Sequence, residues 1–325
     1  MRWITCFAVG AALVSGATAQ IPKDDAVRIG EFYRLASQVQ NGIWSGWSAV
    51  ADPVLLVTSD TEFLTHFPSV PADFKVGADG FSWRPRKFGT NFQATLPVFG
   101  PPAVILVGEP AHTASKTSTP WVIVLMHEHF HQLQDAKPGY WTAINALGLS
   151  HGDETGMWML NYPFPYTKAD IVQNFSALRD QLIVAVKESD KRRFQREARR
   201  YVAMRRSFFA TLSPEDHRYL SFQLWQEGIA RYTQIKAAEA AASYQPTKGY
   251  QTLADYQPFS EYAKQARTQT LDELQQIDIA KAERVAVYSF GAVEGLLLDR
   301  LNPDWKSAYF NHMLTTDGLF DLSTR

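Results

Sequence analysis

One cysteine, Cys6, occurs among 325 residues. It lies within an apolar N-terminal stretch, so the mature chain is expected to have no thiol. No disulfide then holds the fold and no thiol serves its chemistry, which leaves packing, with help from any bound metal, to provide stability. Long hydrophobic runs are also missing. Residues 3–14 are mostly apolar, too few to span a bilayer, and no other run approaches that length. Charge of one sign is not in excess: 32 Lys and Arg face 33 Asp and Glu, a net charge of −1, which offers no bulk attraction for nucleic acid. Internal repeats and low-complexity tracts are likewise absent.

The N-terminal stretch reads as a leader. Arg2 gives a positive start, and Ala17-Thr18-Ala19 fits small-residue cleavage before Gln20. Cys6 sits inside the apolar segment and not at its end, so it is no lipoprotein attachment site. The expected location is secreted or periplasmic, with no stable membrane insertion after cleavage. Hydrophobic content of 46% and aromatic content of 13% then suffice for a full core.

The most informative residues are His127-Glu128-His129-Phe130-His131, which read H-E-x-x-H. On a helix, positions i and i+4 lie one above the other, so His127 and His131 can reach one ion. Glu128 lies beside the same face, where it can hold a water. The spacing His127, His131, Asp135 is helical. Thr119 as cap, Pro120 at the first position and Lys137-Pro138-Gly139 as stop bound the predicted helix. His129 points about 100° away from each neighbour, so it does not ligate the same ion.

Catalytic zinc requires a third protein ligand. Glu227 is the preferred candidate, in Gln226-Glu227-Gly228-Ile229-Ala230-Arg231. Ser213 as cap, Pro214, Glu215 and Asp216 start a helix upstream. Gly228 costs about 1 kcal/mol relative to Ala inside a helix, which close approach of another helix would explain. The bland alternative pairs Glu227 with Arg231 on a wet face. Glu154, in the glycine-interrupted segment His151-Gly152-Asp153-Glu154, is the rival ligand.

H-E-x-x-H followed by a downstream helix carrying E-G-x-A resembles the gluzincin class of zinc metallopeptidases over residues 119–232. The metzincin pattern is not met, because Gln134 and Lys137 stand where Gly and His are required. The thermolysin-like pattern has an Asp four residues after the ligand glutamate, where this chain has Arg231. A carboxylate orienting the imidazoles must then come from elsewhere, with Asp135, Asp153 and Glu154 as candidate sources. The resemblance implies Zn2+ on His127, His131 and Glu227, a peptide or protein substrate, and Glu128 as general base. Tyr288 is the preferred donor to the oxyanion, ahead of His217, His151 and Tyr232. The alternative is an exported noncatalytic binding module with a structural or relic zinc site. Oligomeric state has no sequence signal.

The rest of the chain predicts an α+β fold: a leader over 1–19, a small N-terminal mixed sheet with one helix over 20–118, and a mainly helical part over 119–325. Residues 24–40 read as a helix. Strands are expected at 53–58, 81–87, 92–96 and 103–107, with a short helix or turn at 62–67. The resemblance implies that this sheet packs on the metal helix and that its edge strand aligns the substrate. Residues 138–166 are dense in rings and broken by Pro163 and Pro165; a pocket wall and a packed loop both fit. Nine Lys and Arg between Lys187 and Arg206 alternate with Phe194, Ala198, Tyr201 and Val202 at helical spacing. That pattern is a helix with a solvated basic face rather than a nucleic-acid site.

Overall fold

A computed structural model of the chain describes residues 19–77 and 79–321. Apart from Ala19, the expected leader lies outside them. The fold is α+β. Strands β1 (Val54–Val57), β2 (Thr61–Thr65), β3 (Lys75–Val76), β4 (Ser82–Pro85), β5 (Gln93–Leu96) and β6 (Val104–Gly108) form one mixed sheet in the order β3-β4-β2-β1-β6-β5. Among the described residues only β1 and β6 pair as parallel strands; the other strand pairs are antiparallel.

Strands β1 and β6 are apolar on both faces because both faces are covered. Val54, Leu56, Ile105 and Val107 face the main core, and Leu55, Val57, Val104 and Leu106 face a smaller one closed by Phe74. β2 corrects the expected helix or turn at 62–67. Its Glu62 is a residue type depleted in strands. Here it is fully buried, accepting from Arg84 Nε at 2.7 Å and from the N–H groups of Lys87 and Phe88, both at 2.6 Å.

Helix α1 (Lys23–Ile43) precedes the sheet. After it come α2 (Ser118–Asp135), α3 (Ala169–Lys187), α4 (Lys191–Ala210), α5 (Pro214–Gln223), α6 (Ile229–Ala240), α7 (Phe259–Gln276) and α8 (Ala286–Leu301), with shorter helices between. A single turn of π-helix, Leu224–Gly228, joins α5 to α6. One continuous apolar core runs from Phe32 on α1 through Leu56 and Val107 of the sheet to Trp121, Ile229 and Leu297 of the helices, so both expected parts share it. Among the described residues no helix is long and apolar enough to cross a membrane.

The basic segment is α4, started by Asp190, whose side chain accepts from Arg193 N–H. Phe194, Ala198, Tyr201 and Val202 form its buried stripe, as the periodicity predicts. The aromatic stretch folds as short helices, Tyr140–Ala146 and Trp158–Asn161, between turns. Five of its six rings are buried; Trp141 is exposed.

Candidate metal centre

Helix α2 is rooted in the core by Trp121, Val122, Ile123, Leu125 and Met126, all without exposed surface. Its start differs from the expected cap. The helix begins at Ser118, so Pro120 is its third residue, and Thr119 spends its hydroxyl on Gln257 O at 2.5 Å. The orphan N–H of Ser118 is met by Asp255 Oδ2 at 2.9 Å, from a residue far along the chain. At its far end the helix stops after Asp135, before Lys137-Pro138-Gly139.

In the last turns of α2, the imidazoles of His127 and His131 point to one place, their Nε2 atoms 3.1 Å apart. Glu227 enters from the π-turn, with Oε2 at 3.3 Å from His131 Nε2 and 3.7 Å from His127 Nε2. Zinc–nitrogen bonds of about 2.0–2.1 Å at tetrahedral angles set neighbouring donors ~3.3 Å apart. The three separations bracket that value, so the donor set fits a zinc-sized ion. The side chains are 8%, 11% and 15% exposed, so the cluster is largely shielded from water.

The helix start that brings Glu227 here follows the expected signals: Ser213 accepts from Asp216 N–H at 3.1 Å with Pro214 at the first position. What the sequence does not signal is the π-turn itself. Gly228 explains why the segment can lie so deep. A Cβ there would come within 2.7 Å of Gly291 Cα on α8, so the two backbones meet glycine to glycine. Arg231 bonds Gln234 and Glu273 instead of Glu227.

Electrostatics lock the donors together. Burial alone would lower the His131 pKa, but the Glu227 carboxylate outweighs it and pushes the imidazole up to about 9. Burial would raise Glu227, yet His131 and His127 hold it well below the usual carboxylate range. Without metal the site is therefore an ion pair.

Glu128 lies on the sheet side of α2 and is 6% exposed. Thr95 of β5 holds it, its hydroxyl 2.9 Å from Glu128 Oε2 and 2.8 Å from Glu128 O. Its other carboxylate oxygen has no partner among the described residues. The Tyr288 ring stacks on His127, centroids 6.1 Å apart and planes 19° apart. Arg284 Nη1 donates to the Tyr288 hydroxyl at 3.2 Å and stands 3.5 Å from Glu227 Oε1.

Other candidates lie elsewhere. Glu154 is exposed and outside the donor cluster. Asp153 bonds the N–H groups of Thr155 and Trp158. His217 pairs with Asp317, His151 faces Glu215, and Tyr232 bonds Asp299. None of the acids Asp135, Asp153 and Glu154 orients an imidazole; the partner of His131 Nδ1 is the amide oxygen of Gln134, at 2.7 Å. His129 is buried against Gln132 and Gln40. Thr95, Gln134 and Arg284 escape sequence reading because each is an ordinary residue whose role exists only across the fold. No protein family matches this chain, and no curated protein or solved structure does so either.

Proposed function

We propose that this protein is an exported zinc-dependent hydrolase of the gluzincin type that cleaves peptide bonds. The observation that carries the reading is the convergence of His127 Nε2, His131 Nε2 and Glu227 Oε2 beside an anchored Glu128. Structural zinc takes four protein ligands, whereas this cluster offers three among the described residues. A zinc ion held there would supply Lewis acidity to a carbonyl oxygen and acidify a water.

The chain's own residues then divide the work. Thr95 fixes one oxygen of Glu128, leaving the other to accept a proton from the attacking water and return it to the leaving nitrogen. The Tyr288 hydroxyl accepts from Arg284, so its own proton is available to an oxygen on which negative charge develops. Burial, with Glu227 nearby, raises the Tyr288 pKa, which keeps that proton in place. Among the described residues, strand β5 is the sheet edge and pairs only with β6. An extended peptide paired with its outer side would pass Glu128, because Thr95 belongs to that strand.

The test is metal content together with cleavage of a mixed peptide library, with and without chelator. One zinc per chain and chelator-sensitive cleavage are expected. Glu128→Gln should retain zinc and lose about 10²–10⁴-fold in turnover. Zinc uptake with no cleavage of any peptide would refute the hydrolase reading and favour a binding module.

A further inference from the structure

The geometry points to Gln134 as the positioning residue that makes one site of two separate segments, by fixing the tautomer of His131 and docking the π-turn that carries Glu227. This inference rests on the metal reading above. Gln134 is 1% exposed and lies one helical step from its partner, three residues after His131. Its amide nitrogen stands 3.2 Å from Trp225 O, 3.2 Å from Gln226 O and 2.8 Å from the Tyr309 hydroxyl. Both carbonyls belong to the π-turn, where the ordinary helical ladder is interrupted and carbonyls open to partners outside the helix.

The chemistry allows one arrangement. Carbonyl oxygens only accept, so the amide nitrogen must face Trp225 and Gln226. The amide oxygen is then compelled to face His131 Nδ1, which must carry the proton and donate. Nε2 of His131 is then the nitrogen that faces His127 Nε2 and Glu227 Oε2, and the one whose lone pair is freed for a metal once its proton leaves. Thus the backbone of one ligand segment, acting through a single glutamine, selects the ligating nitrogen of the other. An imidazole oriented by a hydrogen bond on its far nitrogen is a general need of metal sites. Here a neutral amide meets it in place of the carboxylate.

The fold contains its own control. His129 and Gln132 repeat the spacing on the same helix. Gln132 Oε1 faces His129 Nδ1 at 2.8 Å, and its nitrogen donates to Pro53 O at 3.0 Å and Ala103 O at 2.9 Å. That pair docks α2 on the sheet and touches no ligand. Both glutamines are buried and each satisfies two backbone carbonyls, so removing either costs the fold a similar set of contacts.

The experiment compares the full-length wild type, Gln134→Met and Gln132→Met. Zinc affinity is read by competition with a chromophoric chelator, and ligand geometry by the visible spectrum of the cobalt-substituted protein. Gln134→Met should weaken zinc binding about 10–100-fold and alter the cobalt spectrum, while Gln132→Met changes neither. Equal losses in both variants, or no loss in Gln134→Met, would overturn the assignment. Should Gln134→Met fail to fold, nitrogen chemical shifts of His131 in the zinc-loaded wild type decide: a protonated Nδ1 with Nε2 on the metal is expected, and the reverse overturns the role. A wild type that takes up no zinc removes the metal reading itself, and is distinguished by failing before any variant is compared.

Discussion

His131 carries the clearest pH signature. Its folded pKa of about 9 stands above the ordinary 6.5, so its ion pair stabilises the metal-free chain fully below 6.5 and is lost as pH rises through about 9. Glu227 is depressed from 4.5, so its contribution is present above 4.5 and lost as pH falls through its lower folded value. The metal-free protein should therefore gain most from this pair between pH 4.5 and 6.5. A metal must displace the His131 proton. Zinc affinity is accordingly expected to rise with pH up to about 9, with proton release on loading at neutral pH. Calorimetry of zinc binding in buffers of different ionisation enthalpy checks this; no proton release would contradict the charged pair. Of these residues, the two histidines and Glu128 were legible because a four-residue spacing is itself geometry. Thr95 and Arg284 were not, since nothing local distinguishes a threonine on an edge strand or an arginine before a helix.

At the scale of elements, the contact between the π-turn and α8 positions Glu227. Gly291→Ala would place a Cβ within 2.5 Å of Gly228 Cα, a backbone atom that cannot move aside cheaply. The expected cost is about 1–3 kcal/mol of stability, with weakened zinc affinity as the turn is pushed outward. Chemical denaturation and the same chelator competition measure both, and unchanged values would show that the helices part without effect on the site. The close packing at Gly228 was readable, because a helix-interior glycine demands a reason. The partner Gly291 was not, since 63 positions of chain separate them and no local pattern links them. β1 and β6 were legible from their apolar, β-branched runs. β2 was not, because the burial of its Glu62 depends on Arg84 of the neighbouring strand and the N–H groups of Lys87 and Phe88.

Across the whole molecule, a buried ionic network ties the C-terminal segment to the helices. Glu294 on α8 is fully buried and accepts from Tyr201 at 2.5 Å and Arg205 at 2.6 Å on α4. Arg205 also reaches Asp317 at 2.6 Å and Thr316 at 3.0 Å. Glu294→Leu leaves Arg205 with Asp317 as its remaining carboxylate but strips the buried Tyr201 hydroxyl and Arg205 Nε of their acceptor, so it should cost about 1–3 kcal/mol. The network lies apart from the metal donors, and zinc affinity per folded molecule should persist. Urea denaturation reads the first effect; a loss below the wild-type error would mean that water reaches Arg205.

The sequence alone determined the pairing of His127 with His131 on one helix face, Glu128 beside it, the stop of that helix, the start of the helix that leads to Glu227, and the α+β class. These depend on spacing and on side-chain chemistry within a few residues. Tertiary structure decided which distant carboxylate completes the cluster, that an amide orients His131, and that Asp255 caps the metal helix. The physical reason is separation along the chain. Local periodicity fixes which face a side chain occupies, but only packing of the whole core brings faces from distant segments within bonding distance.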